Sequence, residues 1–227
     1  MSRENAPVER LCGLAGIAGV FFYAFAVLWL QAATPAEPDW TRHYVSQFAN
    51  GPHAWLLAAG TLSHAAGNAM LAFGLHRVSA AGWLREWAVG LFLAATAGFA
   101  LTGVASVEPP GAAASLAGTV HRAAAVASFA LELAALILFS VAWRRHAPGC
   151  AAASTSIALT AVAGAASAVL VASVLLAWLP GLWERIALVA FMAWELWAAC
   201  RLVLASSSLQ EARAGFFSPF SIGRKIS

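Results

Sequence analysis

Residues 154–179 read STSIALTAVAGAASAVLVASVLLAWL and contain no charged side chain. An uncharged apolar run longer than about 18 residues marks a helix that spans a bilayer. The stretch lacks the period-two alternation of a strand. In hydrocarbon the backbone must satisfy its own hydrogen bonds, and a helix does so within one segment. Reading outward, five further apolar runs lie near 11–33, 54–76, 84–105, 120–143 and 183–205. The chain is therefore predicted to be all-α, a polytopic transmembrane bundle of six helices arranged as three hairpins. Residues 1–205 form the six-helix transmembrane domain. Residues 206–227 form a cytoplasmic basic and aromatic tail, with Phe216, Phe217 and Phe220 among Arg213, Arg224 and Lys225, suited to anionic lipid.

Composition agrees. Of 227 residues, 61% are hydrophobic and 10% charged, against about 25% charged in soluble domains. A soluble core of this size cannot enclose so much apolar surface, so membrane lipids are the implied partners. The net charge of +3 does not indicate nucleic acid, because the basic residues flank apolar runs instead of forming a patch. Cys12, Cys150 and Cys200 are widely spaced and odd in number, which excludes a disulfide framework and zinc spacing and fits reduced packing residues. Residues 11–33 exceed the h-region of a signal peptide, although Ala32-Ala33-Thr34-Pro35-Ala36 loosely resembles a cleavage site. The run is therefore expected to be a retained helix.

Orientation follows from the basic residues. With the N-terminus inside, ten fall on the inner face: Arg3, Arg10, Arg77, Arg85, Arg144, Arg145, Arg201, Arg213, Arg224 and Lys225. Arg42, Arg122 and Arg185 fall outside. This bias predicts both termini in the cytoplasm and a multi-pass protein of the inner (plasma) membrane. Trp29, Trp40, Trp55, Trp83, Trp87, Trp143, Trp178 and Trp183 lie near run ends, where indole rings sit among headgroups. Small residues recur at Gly60, Ser63 and Gly67, at Gly90, Ala94 and Gly98, and through Ala161–Ser167. Such stripes predict close helix packing.

His64, Glu132 and Glu195 fall near the centres of their runs. Ionisable groups are costly there and mark candidate functional sites. They are the candidate catalytic residues. Asn68 shares a helix face with His64 at i, i+4, while His121, Ser128 and Glu132 form one stripe. Glu184 and Glu195 are eleven positions apart, a rise of about 16 Å, roughly half the hydrocarbon thickness. One reading makes these groups hydrogen-bonded interhelical ties. The other makes them a proton relay or a ligand-coordinating cluster. One histidine and two carboxylates could ligate a metal, but no HxxxH or ExxH spacing supports it, so no metal and no cofactor is expected. A second polar set lies on the predicted outer face: Asp39, His43, Ser46, Glu108, His121, Arg122 and Arg185. Together with Asn68 these are the candidate ligand-binding residues. Ordinary loop-capping ion pairs are the competing reading.

Motifs for common chemistries are absent: no GxSxG, P-loop, HExxH or CxxC occurs. Three short motifs stand in order instead. Tyr44-Val45-Ser46-Gln47-Phe48 precedes Trp55; Glu108-Pro109-Pro110-Gly111 precedes Gly118-x-x-His121; Gly181-Leu182-Trp183-Glu184-Arg185 opens the last run. From about residue 11 to 204 the chain resembles the prokaryotic six-helix membrane proteins grouped as Domain of Unknown Function 998. The resemblance implies the fold and a membrane location, but no reaction. Members often carry Phe-Pro-x-Asp before the Pro-Pro-Gly; here Ala105-Ser106-Val107-Glu108 stands there, with a carboxylate one methylene longer.

Two function classes fit. One is an integral-membrane protein binding a lipid or small amphipathic ligand through the outer polar set. The other is an intramembrane enzyme on a lipid or isoprenoid substrate, with Glu132 or Glu195 as general acid or base. A transporter is a third class, but the runs show no broken helix pair. A cavity reaching the two glutamates would separate enzymes and carriers from a dry, paired core.

Overall fold

The computed structural model describes residues 6–34, 39–105, 107–109, 111–147 and 149–205; the expected tail lies outside them. Six helices follow in order: α1 Ala6–Ala33, α2 Ala54–Val78, α3 Trp83–Val104, α4 Leu116–His146, α5 Ala151–Leu175 and α6 Pro180–Ala205. All six are long and apolar enough to cross a membrane, and no strand occurs among the described residues. Between α1 and α2 lies a 3-10 helix, Val45–Asn50, a feature that hydropathy does not signal. Each helix packs on the next, and α6 returns to α1, so the bundle closes into a ring with α2 also reaching α6.

The seam between α1 and α2 is made of glycines. A Cβ on Gly19 would lie 2.7 Å from the Ser63 carbonyl oxygen, and one on Gly67 would lie 2.7 Å from that of Ala15. The two backbones therefore touch, as small-residue stripes allow. The stripe on α3 behaves differently. Gly98 packs on Ser128 of α4, whereas a Cβ on Gly90 would meet nothing within 4 Å and Ala94 is exposed. Positions i and i+8 drift about 80° around a helix of 3.6 residues per turn, so one stripe cannot stay on one interface.

Two helix ends differ from the hydropathy boundaries for local reasons. The hydroxyl of Ser115 accepts from the Gly118 amide at 3.0 Å and caps α4, which starts the helix at Leu116 instead of near 120. Helix α5 stops at Leu175, short of 179, because Ala177 and Leu179 both adopt φ 51°. Leu179 also precedes Pro180, whose ring disfavours helical geometry at the residue before it.

Between mid-depth and the end bearing the chain termini, the ring is filled by Phe92, Phe139, Trp143 and Trp194. Trp143 and Trp194 stack with centroids 5.7 Å apart and planes at 2°. Trp143 is 1% exposed, so it is a core residue and not the headgroup anchor its position suggested. Its indole N–H donates to Ser79 Oγ at 3.2 Å, and that of Trp194 to Ser156 Oγ at 3.0 Å. Trp55, Trp83, Trp87 and Trp178 remain exposed near helix ends, as an aromatic belt requires. All three cysteines are free.

Candidate functional site

The glycine seam fixes the rotation of α2. One face lies against α1, which turns His64 and Asn68 toward the middle of the ring, where α6 brings Glu195. Glu195 is 0% exposed and His64 4%. His64 Nε2 lies 2.7 Å from Glu195 Oε2, and Asn68 Nδ2 donates to Glu195 Oε1. Glu132 of α4 lies beside the same carboxyl group, near enough to interact with it electrostatically. The imidazole is held between Tyr23, stacked at 5.3 Å, and the edge of Phe99 at 5.1 Å. Five helices thus converge on one mid-depth cluster.

A small cavity of about 20 Å³ adjoins it, lined in part by His64, Asn68, Thr96, Ser128, Phe129 and Glu132. That is room for about one water molecule. Among the described residues, His64 Nδ1, Asn68 Oδ1 and Glu132 Oε1 are buried without a hydrogen-bond partner. Asn68 donates through Nδ2, so its oxygen is the free end. A carboxylate at Nε2 draws the ring proton to that nitrogen, which leaves Nδ1 an acceptor. Among the described residues, no group of three His, Cys, Asp or Glu side chains is arranged to hold a metal ion.

The polar residues at the other end fall into two groups. Loop one pairs with α6. Arg185 Nη1 donates to the carbonyls of Trp40 at 3.0 Å, His43 at 2.8 Å and Gly181 at 2.9 Å, and Nη2 to Gln31 Oε1 at 3.1 Å. Glu184 accepts from the Val45 amide at 2.6 Å and so anchors the start of the 3-10 helix, in which Ser46 is half-buried. Gly181 is needed because a Cβ there would collide with the His43 backbone. Asp39 accepts from the Thr41 hydroxyl and amide and pairs with Arg42 at 3.2 Å. The Thr41 hydroxyl, first, holds the Asp39 carboxyl below its usual range. Burial pushes the Tyr44 phenol up.

Loop three pairs with α4. The Glu108 carboxylate accepts from the Ser115 amide and from Arg122 Nη1 at 3.0 Å. Hydrogen bonds from Ser115, backbone then side chain, hold it down at about 2, with Arg122 assisting. The carboxylate occupies the space a Gly118 side chain would fill, which accounts physically for the spacing from Glu108 to Gly118. Gly111 supplies φ +82° beside the Ala112-to-Pro109 turn bond of 3.1 Å, a conformation open to glycine. His121 Nδ1 lies 3.2 Å from the Ala105 carbonyl and ties α4 to the end of α3.

Sequence reasoning missed Tyr23 and Gln31. A lone hydroxyl deep in the first apolar run was the available signal for Tyr23. It is buried within electrostatic range of Glu184, Arg185 and Glu195, between the loop-one group and the mid-depth cluster.

No curated protein and no solved structure matches the chain. The profile of the family described as "Protein of unknown function (DUF998)" matches residues 17–201, a span that takes in part of α1, both loop groups and most of α6, and the chain belongs to that family.

Proposed function

We propose that this integral-membrane protein binds a small polar ligand, or the polar end of an amphipathic one, at the His64–Asn68–Glu132–Glu195 cluster. The observation that carries this is the set of three buried, unpartnered polar atoms around one cavity. Each such atom destabilises a fold by about 1–3 kcal/mol. Three together rival the total stability of a typical domain, about 5–15 kcal/mol. A ligand that satisfies them offsets that loss. In this reading Asp39, His43, Glu108, His121, Arg122 and Arg185 pin the loops of the outer face, because their polar atoms are engaged with neighbouring backbone and side chains. The excess of basic residues at the opposite end supports cytoplasmic termini in the inner (plasma) membrane.

The test is thermal unfolding of the purified protein against methanol, urea and methylammonium chloride. A ligand that binds only the folded state raises the melting temperature saturably. At least one probe should do so for the wild type and not for Asn68→Leu. If no probe discriminates between the two proteins, the reading fails.

The His64–Glu195 contact supports a second reading, an intramembrane enzyme. A buried carboxylate that orients an imidazole leaves its second nitrogen as a general base, with Glu132 as the acid. The cavity volume favours binding, since about 20 Å³ does not admit an isoprenoid chain. Glu195→Gln tests the second reading: an enzyme loses turnover in this isostere, whereas a binding protein has no turnover to lose.

A further inference from the structure

We propose that the ligand is an ammonium-type cation, either free ammonium or the terminal –NH3+ of a small primary amine. This rests on the ligand site proposed above and names its chemistry. The cavity presents acceptors. Most of its donors are engaged within the protein: one Nδ2 hydrogen of Asn68 goes to Glu195, and His64 Nε2 faces the same carboxyl group. The hydroxyl of Thr96 donates to the Phe92 carbonyl at 2.8 Å, and that of Ser128 to the Ala124 carbonyl at 2.7 Å. What remains toward the cavity is the His64 Nδ1 lone pair, Asn68 Oδ1, Glu132 Oε1 and hydroxyl lone pairs. A ligand that accepts hydrogen bonds finds at most the second Nδ2 hydrogen of Asn68, against three unpartnered acceptors.

Charge and shape narrow the class further. Glu132 lines the cavity and Glu195 stands behind His64 and Asn68, while no Lys or Arg side chain lines it, so a cation is the ligand that its carboxyl groups favour. The cavity is also lined by Phe99, Phe129 and Phe191, and aromatic faces attract cations. Three N–H bonds of a primary ammonium match the three free acceptors, as in a lysine head group. In free ammonium the fourth N–H is left for an aromatic face. Water brings two donors and no charge. Hard cations such as potassium require a cage of oxygens, whereas one of the three acceptors here is an imidazole nitrogen. The cavity, sized for about one water, fits an ammonium group and excludes a quaternary amine.

The experiment uses full-length protein in lipid nanodiscs, with melting temperature measured against ammonium, methylammonium, potassium and tetramethylammonium chlorides at equal ionic strength. Ammonium and methylammonium should raise it saturably, and potassium and tetramethylammonium should not. Glu132→Gln keeps the side chain's shape and should weaken the apparent affinity at least tenfold; Asn68→Leu should do the same if it folds. An equal response to potassium or tetramethylammonium overturns the proposal, as does an unchanged affinity in Glu132→Gln. If methanol or urea binds at the cluster while ammonium does not, the cation assignment fails and the polar-ligand reading stands. If no probe binds, both fall and the cavity holds water alone.

Discussion

Alanine at Gly19 and alanine at Gly90 are the same chemical change on two lipid-spanning helices, yet the structure gives them opposite signs. A Cβ on Gly19 would sit 2.7 Å from the Ser63 carbonyl oxygen and 3.2 Å from the Cα atoms of His64 and Gly67. Ordinary contact begins near 3.4 Å, so α2 must withdraw by about 0.7 Å, the difference between the two distances, to reach ordinary packing. The opposing atoms are backbone, which cannot rotate away. Overpacking of this kind costs about 1–3 kcal/mol, and the upper half of that range applies. Alanine regains about 1 kcal/mol of helix propensity, leaving a net destabilisation of roughly 1–2 kcal/mol. At Gly90 nothing lies within 4 Å of the added carbon, so only the propensity gain of about 1 kcal/mol remains. Melting temperatures of the two variants in one detergent should separate by on the order of 5–10 °C. The withdrawal also shifts His64 relative to Glu195, now 2.7 Å distant, so Gly19→Ala should weaken ligand-induced stabilisation while Gly90→Ala preserves it. If Gly19→Ala is as stable as Gly90→Ala, the reasoning from the glycine seam is wrong.

Three other outcomes are expected. Trp143→Ala empties a stacked core site and should destabilise by about 3–5 kcal/mol, whereas Trp83→Ala, at a position 63% exposed, should stay within about 0.5 kcal/mol; comparable losses would refute the assignment of Trp143 to the core. The folded-state value of Glu108, about 2, lies below its ordinary 4.5. The stabilisation it gives loop three is therefore fully present above about 4.5 and lost as pH falls through about 2. Hydrogen-exchange protection at the Ser115 amide, corrected for intrinsic rates, should follow that profile, and Glu108→Gln should abolish it. A reporter active only in the cytoplasm, fused after Ser227, should be active; an external reading would reverse the topology.

The helices were legible because hydropathy integrates over about 20 residues and tolerates local error. Their ends were not, because these depend on single residues: the Ser115 hydroxyl for α4, and the left-handed Ala177 and Leu179 for α5. Polar residues within apolar runs stood out as candidates for the same energetic reason, and His64, Asn68, Glu132 and Glu195 all show that contrast. Their mutual contacts depend on the rotation of each helix about its axis, which the α1–α2 glycines set and which residue spacing along one helix does not contain. Trp143 shows the limit most clearly. Its position near a run end suggested a headgroup anchor, but its stacking partner, Trp194, lies on another helix and decides the matter. Arg185 likewise looked like a ligand contact, but its guanidinium gathers three backbone carbonyls from both sides of the α6 start, partners that no side-chain motif encodes.

The stacked rings between the mid-depth cluster and the termini have a consequence for transport. Trp143 and Trp194 have their N–H groups committed to Ser79 and Ser156, and Phe92 and Phe139 offer no strong hydrogen-bonding group, so the stacked rings themselves give a file of water no partner. A solute drawn to Glu195 from the loop-one end would meet these rings beyond it. A unit charge making that journey crosses roughly half of the membrane's electric field, worth about 1.2 kcal/mol for each 100 mV. Occupancy by a cation would therefore depend on voltage, and passage to the opposite side would have to go by the Trp143–Trp194 stack.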